Sequence, residues 1–274
     1  MRKSQKSCLL VLAVALAAGL TAGCNKLKAR DMLNKGVQAY KNGQFDQAIE
    51  FFKQSKELDP SLLNARLYLA TAYASQYIPG APSEENVRMG QQAIQEFQGV
   101  LKDDPKNLAA IDGIGSILYN MGGTPYDPKK FEESKNYHKM HIQLKPDDPE
   151  PYYWIGVIDW SLAYRGNKEL RVDYNAKARK PVKDEDPMPP PVRDEFAGKY
   201  GAIINEGIQN LHKAIELRPD YDDAMAYLNL LYRQKADTET SADARNNDMR
   251  LADELVDKVK EIKQKKMEAP PPKQ

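Results

Sequence analysis

The chain has 274 residues, 41% of them hydrophobic and 29% charged, with a formal net charge of +1 and a mean hydropathy of −0.68. So small a net charge gives no electrostatic footprint for nucleic acid as the main partner. Low hydropathy with this much charge fits an elongated, well-solvated solenoid better than a globule.

The chain starts with a basic stretch (Arg2, Lys3, Lys6), an apolar run from Cys8 to Leu20, and the small residues Thr21, Ala22 and Gly23 before Cys24. That order reads as an export signal. The apolar run is too short for a permanent span, which needs about 20 apolar residues. Leu20-Thr21-Ala22-Gly23-Cys24 resembles the lipobox of bacterial lipoproteins. The resemblance implies that residues 1–23 are removed as a signal peptide, that Cys24 is acylated as the new N-terminus, and that 24–28 form a lipidated linker. By the same resemblance, Asn25 after the cysteine points to the outer membrane. Loss of the signal takes three of the 40 basic residues and none of the 39 acidic ones, leaving a net charge of −2. Cys8 leaves with it, so no internal disulfide can form even in an oxidising compartment. Acylation accounts for the remaining thiol, and a lipoprotein's several acyl chains suffice for stable anchoring.

Beyond the leader, Pro60, Pro105, Pro146 and Pro219 each close a short apolar helical pattern. At one fixed distance beyond each stands a small or polar residue: Ala70, Gly115, Gly156 and Asn229. The intervals between these prolines differ, yet that spacing is kept. In the first unit, Gly36 allows two helices to approach, Gly43 and Phe45 make a turn, Ala48 sits at the crossing and Phe52 fills the interface. A helix is expected from about Leu62 to Gln76 and another from about Glu85 to Lys102, separated by Tyr77-Ile78-Pro79-Gly80-Ala81-Pro82, a loop signal. Ile111, Ile114, Gly115 and Leu118 mark the next helix, and Phe131, Ser134 and Leu144 its partner. Tyr152, Ile155 and Gly156 begin a fourth pair, completed by Ile204, Gly207, Leu211 and Ala214. Met225, Leu228, Asn229 and Tyr232 begin a fifth, whose second helix carries Leu251, Leu255, Val259 and Ile262 and a charged outer side suited to a cap.

These small residues, aromatics and prolines resemble the tetratricopeptide-repeat (TPR) family, a helix-turn-helix unit of about 34 residues. The resemblance implies an all-α, right-handed superhelical solenoid of antiparallel helix pairs over 29–264. About five repeats are expected, at 29–61, 62–106, 107–147, 148–220 and 221–264. Every insertion falls between the two helices of one repeat, so the connections should project along one edge. The largest, 165–197, is expected as a long inserted loop: its first half is basic, with Lys177, Arg179, Lys180 and Lys183, and its second holds Pro187-Met188-Pro189-Pro190-Pro191, a polyproline II signal. The tail 265–274 is expected to be a disordered, proline-rich segment.

In the TPR family the first helix of each pair lines a concave groove for peptides or helices. Carried over, the groove positions include Tyr40, Asn64, Thr71, Asp112, Ser116, Tyr119, Asn120, Tyr153, Trp160 and Arg233. Tyr40, Tyr119 and Trp160 share one repeat position and would form a broken aromatic ridge, or else pack as structural filler between helices. The Lys/Asn/Arg set with which chaperone-adaptor members clamp a C-terminal carboxylate is missing here. His138 and His141 share a helix face, a weak metal signal for which packing is the stronger reading. Phosphate-cradling glycine loops, an activated nucleophile with a partnered histidine, and paired catalytic carboxylates are not found, so neither catalysis nor a cofactor or metal is expected.

The sequence thus predicts a non-enzymatic, lipid-anchored scaffold facing the periplasm, serving outer-membrane or secretion and pilus assembly. Its expected partners are envelope proteins, the membrane through the N-terminal lipid, and further copies of itself. The alternative is a small-molecule carrier or enzyme subunit whose 165–197 segment covers a pocket.

Overall fold

A computed structural model describes residues 24–268, in which all regular elements are α-helices. The expected signal peptide 1–23 and residues 269–274 of the expected tail lie outside the described residues. The chain divides into two compact units, Met1–Tyr126 and Asp127–Gln274. In the first, α1 covers residues 24–41, followed by α2 (Phe45–Leu58), α3 (Leu63–Gln76), α4 (Glu84–Asp103) and α5 (Leu108–Gly123). The second holds α6 (Pro128–Leu144), α7 (Pro149–Asn175), α8 (Pro190–Leu217), α9 (Asp222–Ala236) and α10 (Ala242–Glu268).

The four marker prolines build four copies of one turn. Helix α2 ends at Leu58, α4 at Asp103, α6 at Leu144 and α8 at Leu217, each two residues before its proline. The residue in between cannot stay helical, because the proline Cδ collides with its backbone. Asp59, Asp104, Lys145 and Arg218 accordingly take nearly one conformation, with φ from −145° to −132° and ψ from 78° to 92°. The turn closes when the N–H two residues past the proline donates back to that residue's carbonyl: Leu62 to Asp59 at 3.0 Å, Asn107 to Asp104 at 3.2 Å, Asp148 to Lys145 at 3.3 Å and Tyr221 to Arg218 at 3.0 Å. Proline is well suited to the second turn position, where its fixed φ is already correct.

Between these turns the two helices of a repeat meet through a small residue facing a large one. A Cβ added at Gly36 of α1 would come within 2.5 Å of the Phe52 ring of α2, and Phe52 is fully buried beside Ala48. Gly156 of α7 faces Leu211 of α8 in the same way. Ser55 is buried and donates to the Ala29 carbonyl at 2.7 Å. First helices of successive repeats also touch, α3 on α5 and α7 on α9. In the second unit the core runs from Phe196 and Ile204 of α8 to Leu228 and Leu231 of α9.

Three expectations are corrected. The segment 165–197 is not a long loop: α7 continues to Asn175 and α8 starts at Pro190, leaving only 176–189 as connection. Pro189 has polyproline dihedrals (φ −57°, ψ 143°) and precedes the helix, while Pro190 opens it, where a missing N–H costs nothing. Residues 24–28, expected as linker, belong to α1, and 265–268, expected as disordered tail, belong to α10. The connections do gather within each unit. Gly80 of the α3–α4 connection lies beside Thr124, which follows α5, and 176–189 reaches the first turn of α10 through Arg245, whose Nη2 donates to the Glu185 carbonyl at 3.3 Å.

Replacing Gly36 with Val should destabilise the protein by about 2 kcal/mol through overpacking against Phe52. Urea denaturation monitored by circular dichroism measures this; an unchanged midpoint would mean that the α1–α2 contact is not close.

Candidate functional site

The first unit brings one expected groove position, Tyr40, against the next first helix. Tyr40 of α1 shares a 2.7 Å hydrogen bond with Ser75 of α3 and packs edge-on to Phe45, with ring centroids 5.3 Å apart. Thr71 bonds back to the Leu67 carbonyl of its own helix at 2.9 Å, and Ser75 to that of Thr71 at 2.9 Å. Asn64 is exposed, and Asp112, Ser116, Tyr119 and Asn120 are partly buried along α3 and α5. Tyr40 is therefore engaged in helix packing.

The second unit holds an aromatic ladder. Tyr227 of α9 stands edge-on to two rings of α7, Tyr153 at 5.7 Å and Trp160 at 5.3 Å. Tyr153 also leans on Tyr221 at 5.1 Å, while Trp160 stacks on Tyr164 at 5.1 Å. Tyr164 is 42% exposed, and Lys168 Nζ sits 5.6 Å above its ring. Offset and edge-to-face pairs at these distances add stability beyond burial and fix ring orientation. Tyr153 and Trp160 were expected in the sequence, but Tyr227, which joins them, and Tyr164 were not. Tyr164 follows Trp160 by one helical turn, a signal that was readable; Tyr227 lies on another helix, α9. Arg233 is turned elsewhere: it donates to Asn229 Oδ1 at 2.8 Å and Asp253 Oδ1 of α10 at 2.6 Å, tying α9 to the last helix.

No family model matches the sequence, and no curated protein matches it. Solved structures do. A double mutant of MamA RS-1 aligns at TM-score 0.56 with 17% identity, covering 87% of this chain and 96% of that one. MamA from Desulfovibrio magneticus RS-1, from residue 41 to its end, aligns at TM-score 0.56 with 16% identity over the same shares. A further MamA structure gives 0.53 and 15% identity, covering 85% of this chain and 94% of that one. The chain has the TPR fold.

Within the TPR fold, α7 and α8 are the first and second helices of the fourth repeat, and their extension is stitched by buried polar groups. Arg171, 3% exposed, donates Nε to Asn167 Oδ1, Nη1 to the Lys183 carbonyl and Nη2 to Asp237 Oδ2, each at 2.9 Å, and Nη2 also to the Asp186 carbonyl at 3.0 Å. Asn175 exchanges two 2.9 Å bonds with the Val182 backbone. These bonds satisfy backbone groups that a connection of this length would otherwise leave to water. A cavity of about 460 Å³ lies beside it, lined by Leu170, Tyr174 and Val192 together with Asp173, Lys177 and Glu195.

A second polar cluster lies where α6, α7 and α8 meet. Lys135 Nζ is 2.7 Å from Asp159 Oδ1 and 3.2 Å from Glu206 Oε2, and Glu206 pairs in turn with Lys139 at 2.8 Å. Asp159 is fully buried. Burial pushes its carboxyl upward and the Lys135 charge pulls it back; the contact distance favours the ionised pair. Both groups are closed to solvent. His138 and His141, weighed as metal ligands, are buried on α6; His138 stacks on Trp154 at 6.0 Å. Among the described residues no group of three His, Cys, Asp or Glu side chains is arranged to hold a metal ion.

Burial lowers the His138 pKa from 6.5 to about 4, and both ring nitrogens lack hydrogen-bond partners. The folded state thus binds this proton less readily than the unfolded chain. The associated stability is present above pH 6.5 and is lost as pH falls toward 4. Between pH 7 and pH 5 the wild type should lose about 2 kcal/mol more than His138→Phe. Urea melts of both proteins at each pH measure the difference; parallel pH profiles would show that the imidazole is solvated.

Proposed function

We propose that this chain is a non-enzymatic protein-interaction scaffold of the bacterial envelope, tethered by lipid at Cys24 and binding a peptide or helix of an envelope partner along the first helices of its repeats. The observation that carries the reading is the Tyr153–Tyr227–Trp160–Tyr164 ladder, built from two consecutive first helices and ending in an exposed ring. Aromatics with a polar tip bury much area for little lost rotamer freedom, which makes them effective anchors at interfaces. The TPR fold supports the same reading, because its helices are spent on stacking and leave a row of side chains free to meet a partner. The tether rests on the lipobox-like sequence before Cys24, which is itself exposed.

A photo-crosslinking residue in place of Tyr164, expressed in the native envelope, should give one discrete adduct with a membrane-associated protein. The adduct should weaken when Cys24→Ser releases the chain from the membrane. The same crosslinker at Lys258, on the exposed side of α10, provides the background. Labelling at position 164 no stronger than at 258 would count against the ladder as a binding surface.

A further inference from the structure

The connection between α7 and α8 sorts its charges by sign. Its three carboxylates are engaged: Asp184 pairs with Lys168, Asp186 Oδ2 accepts the Lys183 backbone N–H at 2.9 Å, and Glu185 lies 3.9 Å from Lys183 Nζ. Lys177, Arg179 and Lys180 lie on the opposite arm. All three are exposed, and none has a carboxylate within ion-pair distance among the described residues, although Asp173 and Glu195 line the same cavity as Lys177. The turn that carries them is held in one shape by Asn175 and by the buried Arg171 guanidinium. A flexible, solvated loop would not need a buried arginine to fix its carbonyls.

Apolar surface adjoins these cations. Val172, in the last turns of α7, is 66% exposed. An exposed aliphatic side chain beside lysine and arginine without carboxylate partners has the composition of a segment resting at a lipid–water interface. The sequence independently carries a membrane-directing element, the apolar run Cys8–Leu20 behind Arg2, Lys3 and Lys6.

We propose that the turn formed by residues 176–183 is a docking surface for anionic phospholipid headgroups. Lys177, Arg179 and Lys180 meet the phosphates, and Val172 enters the interfacial layer. This contact is separate from the aromatic ladder and needs no protein partner, so vesicles test it alone. Purified full chain is cosedimented with phosphatidylcholine vesicles, with or without phosphatidylglycerol. The basic and apolar N-terminus is the same in the wild type and in both triple variants described below, so the change in anionic preference between them isolates the headgroup contact of the turn. The wild type should prefer the anionic vesicles, with a preference that fades as salt rises. Lys177→Gln, Arg179→Gln and Lys180→Gln together should reduce the preference roughly a hundredfold. Lys258→Gln, Lys260→Gln and Lys263→Gln on α10 should leave it intact, with unchanged helical circular dichroism in both triples. Equal wild-type binding to both vesicles would overturn the proposal in favour of an acidic protein face as the turn's partner. Equal losses in the two triples would overturn it in favour of non-specific charge attraction.

Discussion

A steric clash governs this architecture. Past a helix's first turn, a proline ring crowds the backbone before it and disfavours helical conformation there, so each second helix stops two residues before its proline and the chain turns in one way. Because Asp59, Asp104, Lys145 and Arg218 share nearly the same dihedrals, each following helix starts from an equivalent geometry. The stacking contacts can then be reused, with a small residue on one helix facing a large one on its partner, as at Gly36 and Phe52. Variation in length is confined to the other connection, inside each repeat, where it does not disturb the stack.

That division of labour explains what could be read from the sequence. The turns and the contacts at Gly36, Ala48, Phe52, Gly156 and Leu211 depend on local chemistry, and each appears where its residues indicate. The extension of α7 and α8 does not, because two of its core-facing positions hold Asn167 and Arg171, which interrupt the apolar pattern by which a buried helix is recognised. Their role appears only when the carbonyls of Lys183 and Asp186 are brought beside them by the return of the chain. Pro190 and Pro191 misled for a related reason: a proline run favours extended chain but is equally at home in the first turn of a helix.

The candidate site was legible in part. Tyr153 and Trp160 came from repeat position alone, but the partner that orients both, Tyr227, belongs to another helix, and its ring direction depends on the packing of α7 against α9. Arg233 shows the limit of transferring positions between repeats: in the last repeat the adjoining capping helix offers Asp253, and the guanidinium turns to it. The buried Lys135–Asp159–Glu206 group left no sequence signal, since its members come from three helices.

If the proline turn is the controlling element, inserting a residue there must cost far more than inserting one in the variable connection. The decisive measurement is the unfolding free energy of two variants, one with an alanine added after Pro146 and one with an alanine added after Lys180. The turn insertion should cost about 3 kcal/mol through loss of buried contacts, and the connection insertion less than about 1 kcal/mol, because loop length is weakly penalised. Equal costs at the two positions would contradict the account.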